Sequence, residues 1–259
     1  MNQTVKRIGN RILPTRMKND IRKLLLRINQ NKRRREYERI CGEYPGYIAL
    51  PLFRLMKLDI SKTPYNSQFF QDYIMDNCIF MGKKNGFFLD VGGNDPIKIN
   101  NTYYFEKNMG WDGIAFEPLP ELHKKWEELR NVECIQAAVG SKKGRAEFVE
   151  YDDGRMSGLS ECTDYKGAVE NSYFVEVVTI TDVLTTRGIS HVDFMSIDIE
   201  GAELDALKGI DFQTIKIDYI VIENNKGKKK EKEIRDFLLK NGYIMIARLW
   251  IDDIWKKEN

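Results

Sequence analysis

The chain has 259 residues, of which 42% are hydrophobic and 31% are charged, and its formal net charge is +2 at pH 7. These proportions exclude a largely disordered chain, and no apolar run approaches the roughly 20 residues that a membrane-spanning helix needs. The four cysteines are too far apart for a zinc or dithiol motif. We therefore expect a cytoplasmic protein with reduced thiols and one main domain.

The positive charge is concentrated at the start of the chain. Residues 1–39 hold thirteen Lys and Arg against three Asp and Glu, so the remainder is net acidic. Apolar residues fall on one side of a helix predicted over residues 19–40, and the apolar run Leu24-Leu25-Leu26 is too short for a secretory signal. The pattern predicts a basic, mainly helical extension over residues 1–65. That extension either packs on the main domain or contacts a protein or the inner face of a membrane.

Short apolar runs alternate with amphipathic ones from residue 86 onward, which is typical of βαβ units around a parallel sheet. The pattern predicts a doubly wound, mostly parallel, Rossmann-like α/β sheet with an antiparallel C-terminal strand, within a domain of residues 66–259. The predicted strands are 87–91, 113–116, 132–138, 192–199 and 219–222, with a terminal pair at 243–250 and 253–256. The predicted helices are 97–109, 119–130, 202–208 and 229–241.

Two further strands are predicted at residues 145–151 and 173–178. They flank a polar loop that holds Gly154, Ser157 and Gly158. Loops of this kind often cover a substrate.

The first predicted strand ends in an acidic residue and a glycine turn, Asp90-Val91-Gly92-Gly93-Asn94. Glycines let the backbone approach a ligand closely, and ligands of open parallel sheets bind at the carboxyl ends of the strands. The G-x-G-x-x-G spacing of a dinucleotide site is absent, and a carboxylate at the strand end would repel a pyrophosphate. Asp90 suits a cofactor with a cationic amino group and no phosphate, such as S-adenosylmethionine.

A second carboxylate, Glu117, ends the next predicted strand. It could accept hydrogen bonds from both hydroxyls of a ribose, as acidic residues do in nucleotide-binding sheets. Taken singly, each carboxylate could equally cap the helix that follows it. Two acids at successive strand ends favour a ligand site.

Several motifs together resemble those of the FkbM-type methyltransferases, from about residue 67 to residue 256. Two positions depart from that pattern, since Gly93 stands where the family often has alanine and Pro96 where the last glycine of the turn is expected. The motifs are Ser67-Gln68, Gln71-Asp72, the Asp90 turn, Asn101-Thr102-Tyr103-Tyr104-Phe105-Glu106, Gly110-Trp111, Phe116-Glu117-Pro118, Ser196-Ile197-Asp198-Ile199-Glu200-Gly201-Ala202-Glu203, Ile222-Glu223-Asn224-Asn225 and Gly242-Tyr243.

The resemblance implies an S-adenosylmethionine-dependent methyltransferase that methylates a hydroxyl of a sugar, a glycan or a secondary metabolite. Methylation of an amine on such a molecule is the alternative. The implied catalytic residues are Asp198, Glu200 and Glu223. Because side chains alternate along a strand, Asp198 and Glu200 are expected to face the same way. The implied cofactor site consists of Gln68, Asp72, Asp90, Gly92, Asn94, Asn101, Glu117, Ala138 and Asp198.

An ordinary carboxylate is a weak base for a hydroxyl. Either burial raises the pKa of Asp198 or Glu200, or a metal ion makes the acceptor hydroxyl more acidic. If a metal is present, Asp198, Glu223 and Asn224 would offer the oxygen ligands that Mg²⁺ prefers, loosely as in catechol-type O-methyltransferases. We favour metal independence.

Three other functional classes fit less well. A nicotinamide oxidoreductase would need the missing glycine spacing, and a noncatalytic relative would not need the full set of strand-end acids. A nucleic-acid methyltransferase could use the basic extension, but the catalytic part is net acidic and has no Asn-Pro-Pro-Tyr or Asp-Pro-Pro-Tyr motif. We therefore expect a small-molecule or glycan acceptor, and the sequence makes no prediction of the oligomeric state.

Overall fold

Two sheets organise the part of the chain that the structure, a computed structural model, describes: residues 63–163, 165–224, 227–249 and 251–258. The helix predicted over residues 19–40 and nearly all of the predicted extension lie outside these residues. Within the described ranges, no helix is long and apolar enough to cross a membrane. Cys78, Cys134 and Cys162 are free thiols.

The described strands follow one another from the first glycine turn to the end of the chain. They are β1 (Phe87–Val91), β2 (Asp112–Phe116), β3 (Glu133–Ile135), β4 (Ala138–Val139), β5 (Gly144–Tyr151), β6 (Gly158–Leu159), β7 (Val169–Val178), β8 (His191–Ile197), β9 (Lys216–Glu223), β10 (Tyr243–Leu249) and β11 (Asp252–Lys257). The helices are α1 (Gln71–Ile74), which continues as a π-helical segment (Met75–Phe80), then α2 (Tyr103–Met109), α3 (Pro120–Leu129), α4 (Ile180–Thr186), α5 (Glu203–Lys208) and α6 (Lys228–Lys240).

The main sheet has seven strands in the order β10-β11-β9-β8-β1-β2-β3. The pairs from β3 to β9 are all parallel. Strand β11 is antiparallel to both of its neighbours, β9 and β10. The predicted mostly parallel sheet with an antiparallel C-terminal strand is therefore confirmed, and the two terminal strands pair with each other as predicted.

The central strands are buried along nearly their whole length, because parallel sheets of this kind are covered on both faces. In β1 the side chains of Phe88, Leu89 and Val91 are at most 1% exposed. Such strands appear in the sequence as continuous apolar runs, which is why β1, β2, β8 and β9 could be predicted. Helix α6 shows the complementary pattern, with Ile234 and Leu238 buried one turn apart and its charged side chains outward.

The second sheet has four strands in the order β4-β7-β5-β6 and lies in the chain between β3 and α4. It packs through a small apolar cluster of Leu119, Ala138, Phe148 and Val175. The prediction of one strand over residues 132–138 was wrong. The amide of Ala137 donates to the carbonyl of Ile135 at 2.8 Å, and this tight turn separates β3 from β4.

The helix predicted over residues 97–109 begins only at Tyr103, so residues 92–102 form a long loop that we call the glycine loop. Ile99 has a left-handed backbone with φ +56°, which interrupts the predicted helix, and polar side chains of the loop bind its amides instead. The Asp95 carboxylate accepts hydrogen bonds from the amides of residues 97 and 98, at 3.0 and 2.8 Å. The Asn100 side chain accepts from the amides of residues 102 and 103, at 3.0 and 2.8 Å.

Candidate functional site

A cavity of about 570 Å³ opens at the carboxyl ends of β1, β2, β8 and β9, and residues of the second sheet form part of its wall. This volume is within the usual range for a small-molecule site. The cavity brings together most of the residues that the sequence predicted for a cofactor or catalytic site. They are Gln68, Asp90, Gly92, Asn94, Asn101, Glu117, Ala138, Asp198, Glu200 and Glu223.

Asp90, near the end of β1, is 4% exposed. Its Oδ2 accepts hydrogen bonds from the Thr102 hydroxyl at 2.6 Å and from the Asn100 side-chain amide at 3.0 Å. Burial raises the pKa of the Asp90 carboxyl above its usual range, and these two hydrogen bonds and the charge of Arg130 oppose that rise. The carboxylate therefore holds the far end of the glycine loop while its side chain lines the cavity.

Glu117 directly follows β2 and is 4% exposed. Its Oε2 accepts from the Asn94 amide at 2.8 Å, and its Oε1 accepts from the Leu119 amide at 2.9 Å. Burial, aided by the charge of Asp90, raises the pKa of Glu117 to about 7. Because a carboxylate oxygen has two lone pairs, both oxygens can accept a further hydrogen bond from a ligand.

Gly92 directly follows β1 at the edge of the cavity and lies against the backbone of Asp198. Its φ is +83°, and a Cβ at this position would stand 2.0 Å from the backbone oxygen of Asp198. The neighbouring ladder is intact, since the Asp198 amide donates to the Val91 carbonyl at 3.0 Å. Only glycine fits both the backbone conformation and the space.

Gly93 is also required, for a different reason. A Cβ at Gly93 would lie 2.5 Å from the indole ring of Trp126, which is fully buried and donates from Nε1 to the Asn94 carbonyl at 2.9 Å. This contact accounts for glycine at a position where the FkbM pattern often has alanine.

We expect Gly93→Ala to destabilise the protein by about 1–3 kcal/mol, the usual cost of an overpacked core. Adding Trp126→Phe should recover part of this loss, because the smaller ring leaves room for the new methyl group. Urea unfolding of the two single variants and the double variant measures the coupling. Strictly additive losses would show that Trp126 is not the obstacle.

Asp198 follows β8 and opens into the cavity. Its side chain is exposed to solvent through the cavity. Desolvation by the protein packed around it, together with the charges of Glu223 and Glu200, nevertheless raises the pKa of the Asp198 carboxyl well above its usual range. Glu200 also lines the cavity, but strand alternation does not place it there. Strand β8 ends at Ile197, and Glu200 lies in a turn with φ +53°.

Glu203, at the start of α5, supports this turn and is 1% exposed. Its Oε1 accepts from the Gly201 amide at 2.9 Å. The predicted metal ligands are only partly brought together. Oxygens of Asp198, Glu203 and Glu223 lie within 4.8 Å of one another, but the Asn224 side chain donates to Asp253 at 2.6 Å and does not line the cavity.

Acidic side chains often gather without a metal, so we derive no Mg²⁺ site from this cluster. Asn224 lies outside the cavity lining, and its side-chain amide instead holds the C-terminal strand β11, so its predicted role as a ligand finds no support.

The prediction that Asp72 lines the cofactor site is also corrected. Asp72 is fully buried outside the cavity. Its oxygens accept from the Asn66 amide at 2.5 Å, the Ser67 amide at 3.1 Å, the Ser67 hydroxyl and the Tyr73 amide at 2.8 Å. Asp72 thus folds the segment that carries Gln68 towards the cavity.

Gln71, the other member of this motif, donates from Nε2 to Asp252 on β11 at 2.7 Å. Asp252 lies directly opposite Glu223 in the register of the two strands. Burial and the charge of Glu223 raise the pKa of Asp252 to about 7. Asp252 is therefore a further buried carboxyl group next to Glu223, outside the cavity lining.

Sequence reasoning missed several residues around the cavity. Arg155 and Met156, in a short 3-10 helix (Gly154–Met156), line it, and so does Asn100. The polar loop between the extra strands could have indicated the first two. No sequence motif around Arg130 indicated a role in the site, because Arg130 does not line the cavity and is connected to the site only through the glycine loop.

Comparisons with known proteins indicate the family to which the chain is similar. The model of the methyltransferase FkbM domain matches residues 90–245 of the chain. The methyltransferase sdnD of Sordaria araneosa is 26% identical over 196 residues, in a match that covers 61% of this chain and 73% of that protein.

Two solved structures show a distant likeness. The methyltransferase FkbM of Methylobacillus flagellatus KT aligns with a TM-score of 0.38 and 13% identity over 66% of this chain and only 43% of its own. The TehB-like SAM-dependent methyltransferase of Corynebacterium glutamicum ATCC 13032 Kitasato aligns with a TM-score of 0.39 and 13% identity, over 80% of this chain and 95% of its own.

Proposed function

The chain belongs to the methyltransferase FkbM family, and we propose that it transfers a methyl group from S-adenosylmethionine to a hydroxyl of a sugar, a glycan or a secondary metabolite. One observation carries the proposal. The buried carboxylates of Asp90 and Glu117, from two successive strand ends, line the same cavity as Asp198. Carboxyl groups at these strand ends fit a cofactor with an ammonium group and ribose hydroxyls and do not fit one with a pyrophosphate.

The residues of the chain divide the work between binding and proton transfer. Asp90 faces the ammonium group, and Glu117 accepts hydrogen bonds from the ribose hydroxyls. When bound, S-adenosylmethionine supplies a methyl group that is already activated on a sulfonium, so the protein must mainly position the acceptor and remove its proton.

Asp198 is the residue that we propose as the base for the acceptor hydroxyl. Its raised pKa makes it a stronger base than an ordinary carboxylate. Glu200 and Glu223, which line the cavity with it, keep that pKa high through their negative charge. A metal ion is not needed in this scheme, and activity that persists with a chelator would agree with it.

Calorimetric titration with S-adenosylhomocysteine, the product form of the cofactor, tests the binding part of the proposal. Because hydroxyls donate best to an ionised carboxylate, we expect the affinity to fall as the pH drops from 8 to 6 through the Glu117 pKa of about 7. Glu117→Gln should bind at least about tenfold more weakly at pH 8 and lose most of that pH dependence.

Glu121→Gln is the matched control, since Glu121 is an exposed residue on α3 outside the cavity. It should bind as the wild type does. No binding by folded wild-type protein would overturn the cofactor assignment.

A further inference from the structure

Arg130, directly after α3, is a buried cation that does not line the cavity. Its side chain is 0% exposed and forms an ion pair with Glu106 on α2. The guanidinium also lies over the Trp126 ring at 4.3 Å from the ring centroid. Burying an arginine is costly unless its donors are satisfied, so the groups that it binds indicate what it is for.

Most of these groups belong to the glycine loop. Arg130 donates from Nη1 to the Pro96 carbonyl at 2.8 Å and to the Asn100 side-chain oxygen at 3.3 Å. From Nη2 it donates to the Thr102 hydroxyl at 3.1 Å. Asn100 and Thr102 are the two residues that donate to Asp90. A single intervening side chain therefore connects the guanidinium to this carboxylate of the cavity.

A second connection leads to the other carboxylate. The Trp126 ring, stacked under the guanidinium, donates from Nε1 to the Asn94 carbonyl at 2.9 Å. The amide of the same residue, Asn94, donates to Glu117 at 2.8 Å. Both ends of the glycine loop are thus connected to Arg130. The first end, at Asn94, binds Glu117, and the last end, at Thr102, binds Asp90.

We infer that Arg130 is the positioning residue of the cofactor site: through the glycine loop it holds Asp90 and Glu117 in place. This inference rests on the proposed function, because it assigns Arg130 to the binding of that cofactor.

Other charged residues line the cavity with Asp90, namely Asp95, Lys98, Glu117, Arg155, Asp198, Glu200 and Glu223. The charge of Asp90 raises the pKa of Glu117. Burial and the charges of Glu117 and Asp90 raise the pKa of the Cys134 thiol on β3, which stays neutral. Glu106 binds the far side of Arg130. Arg130 is therefore the one cation that favours the ionised form of Asp90 among the described residues, and it is not among the groups that shift the pKa of Glu117.

The test is the affinity for S-adenosylhomocysteine of Arg130→Met, Arg130→Lys and Thr102→Val, measured by calorimetry between pH 6 and pH 8. We expect Arg130→Met to bind at least about tenfold more weakly than the wild type at pH 8. The ratio of the two dissociation constants should grow as the pH falls, because Asp90 becomes protonated at a higher pH without the guanidinium. Arg130→Lys, which keeps the charge, should recover much of the affinity.

Thr102→Val removes the hydroxyl that connects Arg130 to Asp90 while leaving Arg130 in place, so it provides the test if Arg130→Met does not fold. The ratio of its dissociation constant to that of the wild type should also grow as the pH falls. Thr186→Val is the same substitution on α4, where the hydroxyl donates to the Asp182 carbonyl and makes no hydrogen bond to this network, and it should leave the ratio at one.

A ratio that is constant with pH in folded Arg130→Met and Thr102→Val would overturn the inference, since a purely structural residue lowers affinity equally at every pH. Failure of the wild type to bind would instead count against the proposed function and not against this network.

Discussion

The Asp198→Asn variant is expected to lose about 10²- to 10⁴-fold in kcat, the usual contribution of a general base. Asparagine keeps the shape of the side chain but cannot accept the proton. The raised pKa of Asp198 has a second consequence. Only the ionised carboxylate is a base, so the wild-type rate should rise with pH through that raised pKa, and the variant should lose this rise.

The rate to measure is the formation of S-adenosylhomocysteine with an acceptor that the wild type methylates. Asp218→Asn is the matched control, because Asp218 lies at the opposite edge of the same sheet, paired with His191 at 2.9 Å and Lys216 at 2.8 Å. It should keep the wild-type kcat. A residual kcat above a tenth of the wild-type value in Asp198→Asn would exclude this residue as the base.

The Gly92→Ala variant is expected to lose about 2–5 kcal/mol of folding free energy and its measurable affinity for S-adenosylhomocysteine. A left-handed backbone costs a non-glycine residue about 1–2 kcal/mol. The larger part comes from the clash, since the new Cβ would stand 2.0 Å from the Asp198 carbonyl oxygen. Relieving it must separate the ends of β1 and β8, and this moves Asp198 away from the rest of the site.

Gly82→Ala separates these two contributions. Gly82 has a similar φ of +78°, and a Cβ there would meet nothing within 4 Å. The control should therefore show only the conformational cost of about 1–2 kcal/mol and normal binding. Equal losses in the two variants, measured by urea unfolding, would show that the contact between β1 and β8 does not limit residue 92.

Site residues that stand at the ends of strands could be predicted from the sequence alone. Asp90, Glu117 and Glu223 each stand at or just after the last residues of an apolar run, and the carboxyl ends of parallel strands share one edge of a sheet. Asp198 and Glu200 were placed at the same edge correctly, although alternation along a strand is not what brings Glu200 there. Its position depends on a left-handed turn after β8.

Other parts depend on contacts that no local pattern contains. Arg130 follows Asp90 by forty positions, and only the folded glycine loop connects the two. Asp72 belongs to a motif of the family but serves to fold its own segment. Helix α4 was missed although a capping signal was present, since the Thr179 hydroxyl accepts from the Asp182 amide at 3.1 Å.

The second sheet also has a consequence for how the acceptor preference of such a chain can change. Its first and last strands begin and end side by side, because Ala138 and Val139 of β4 pair with Val177 and Val178 of β7. The residues between them leave and rejoin the main domain at neighbouring points. They can be lengthened, shortened or exchanged without altering the span between β3 and α4. The wall that contains Phe148 and Arg155 can therefore change in length without displacing the strand ends that carry Asp90 and Glu117.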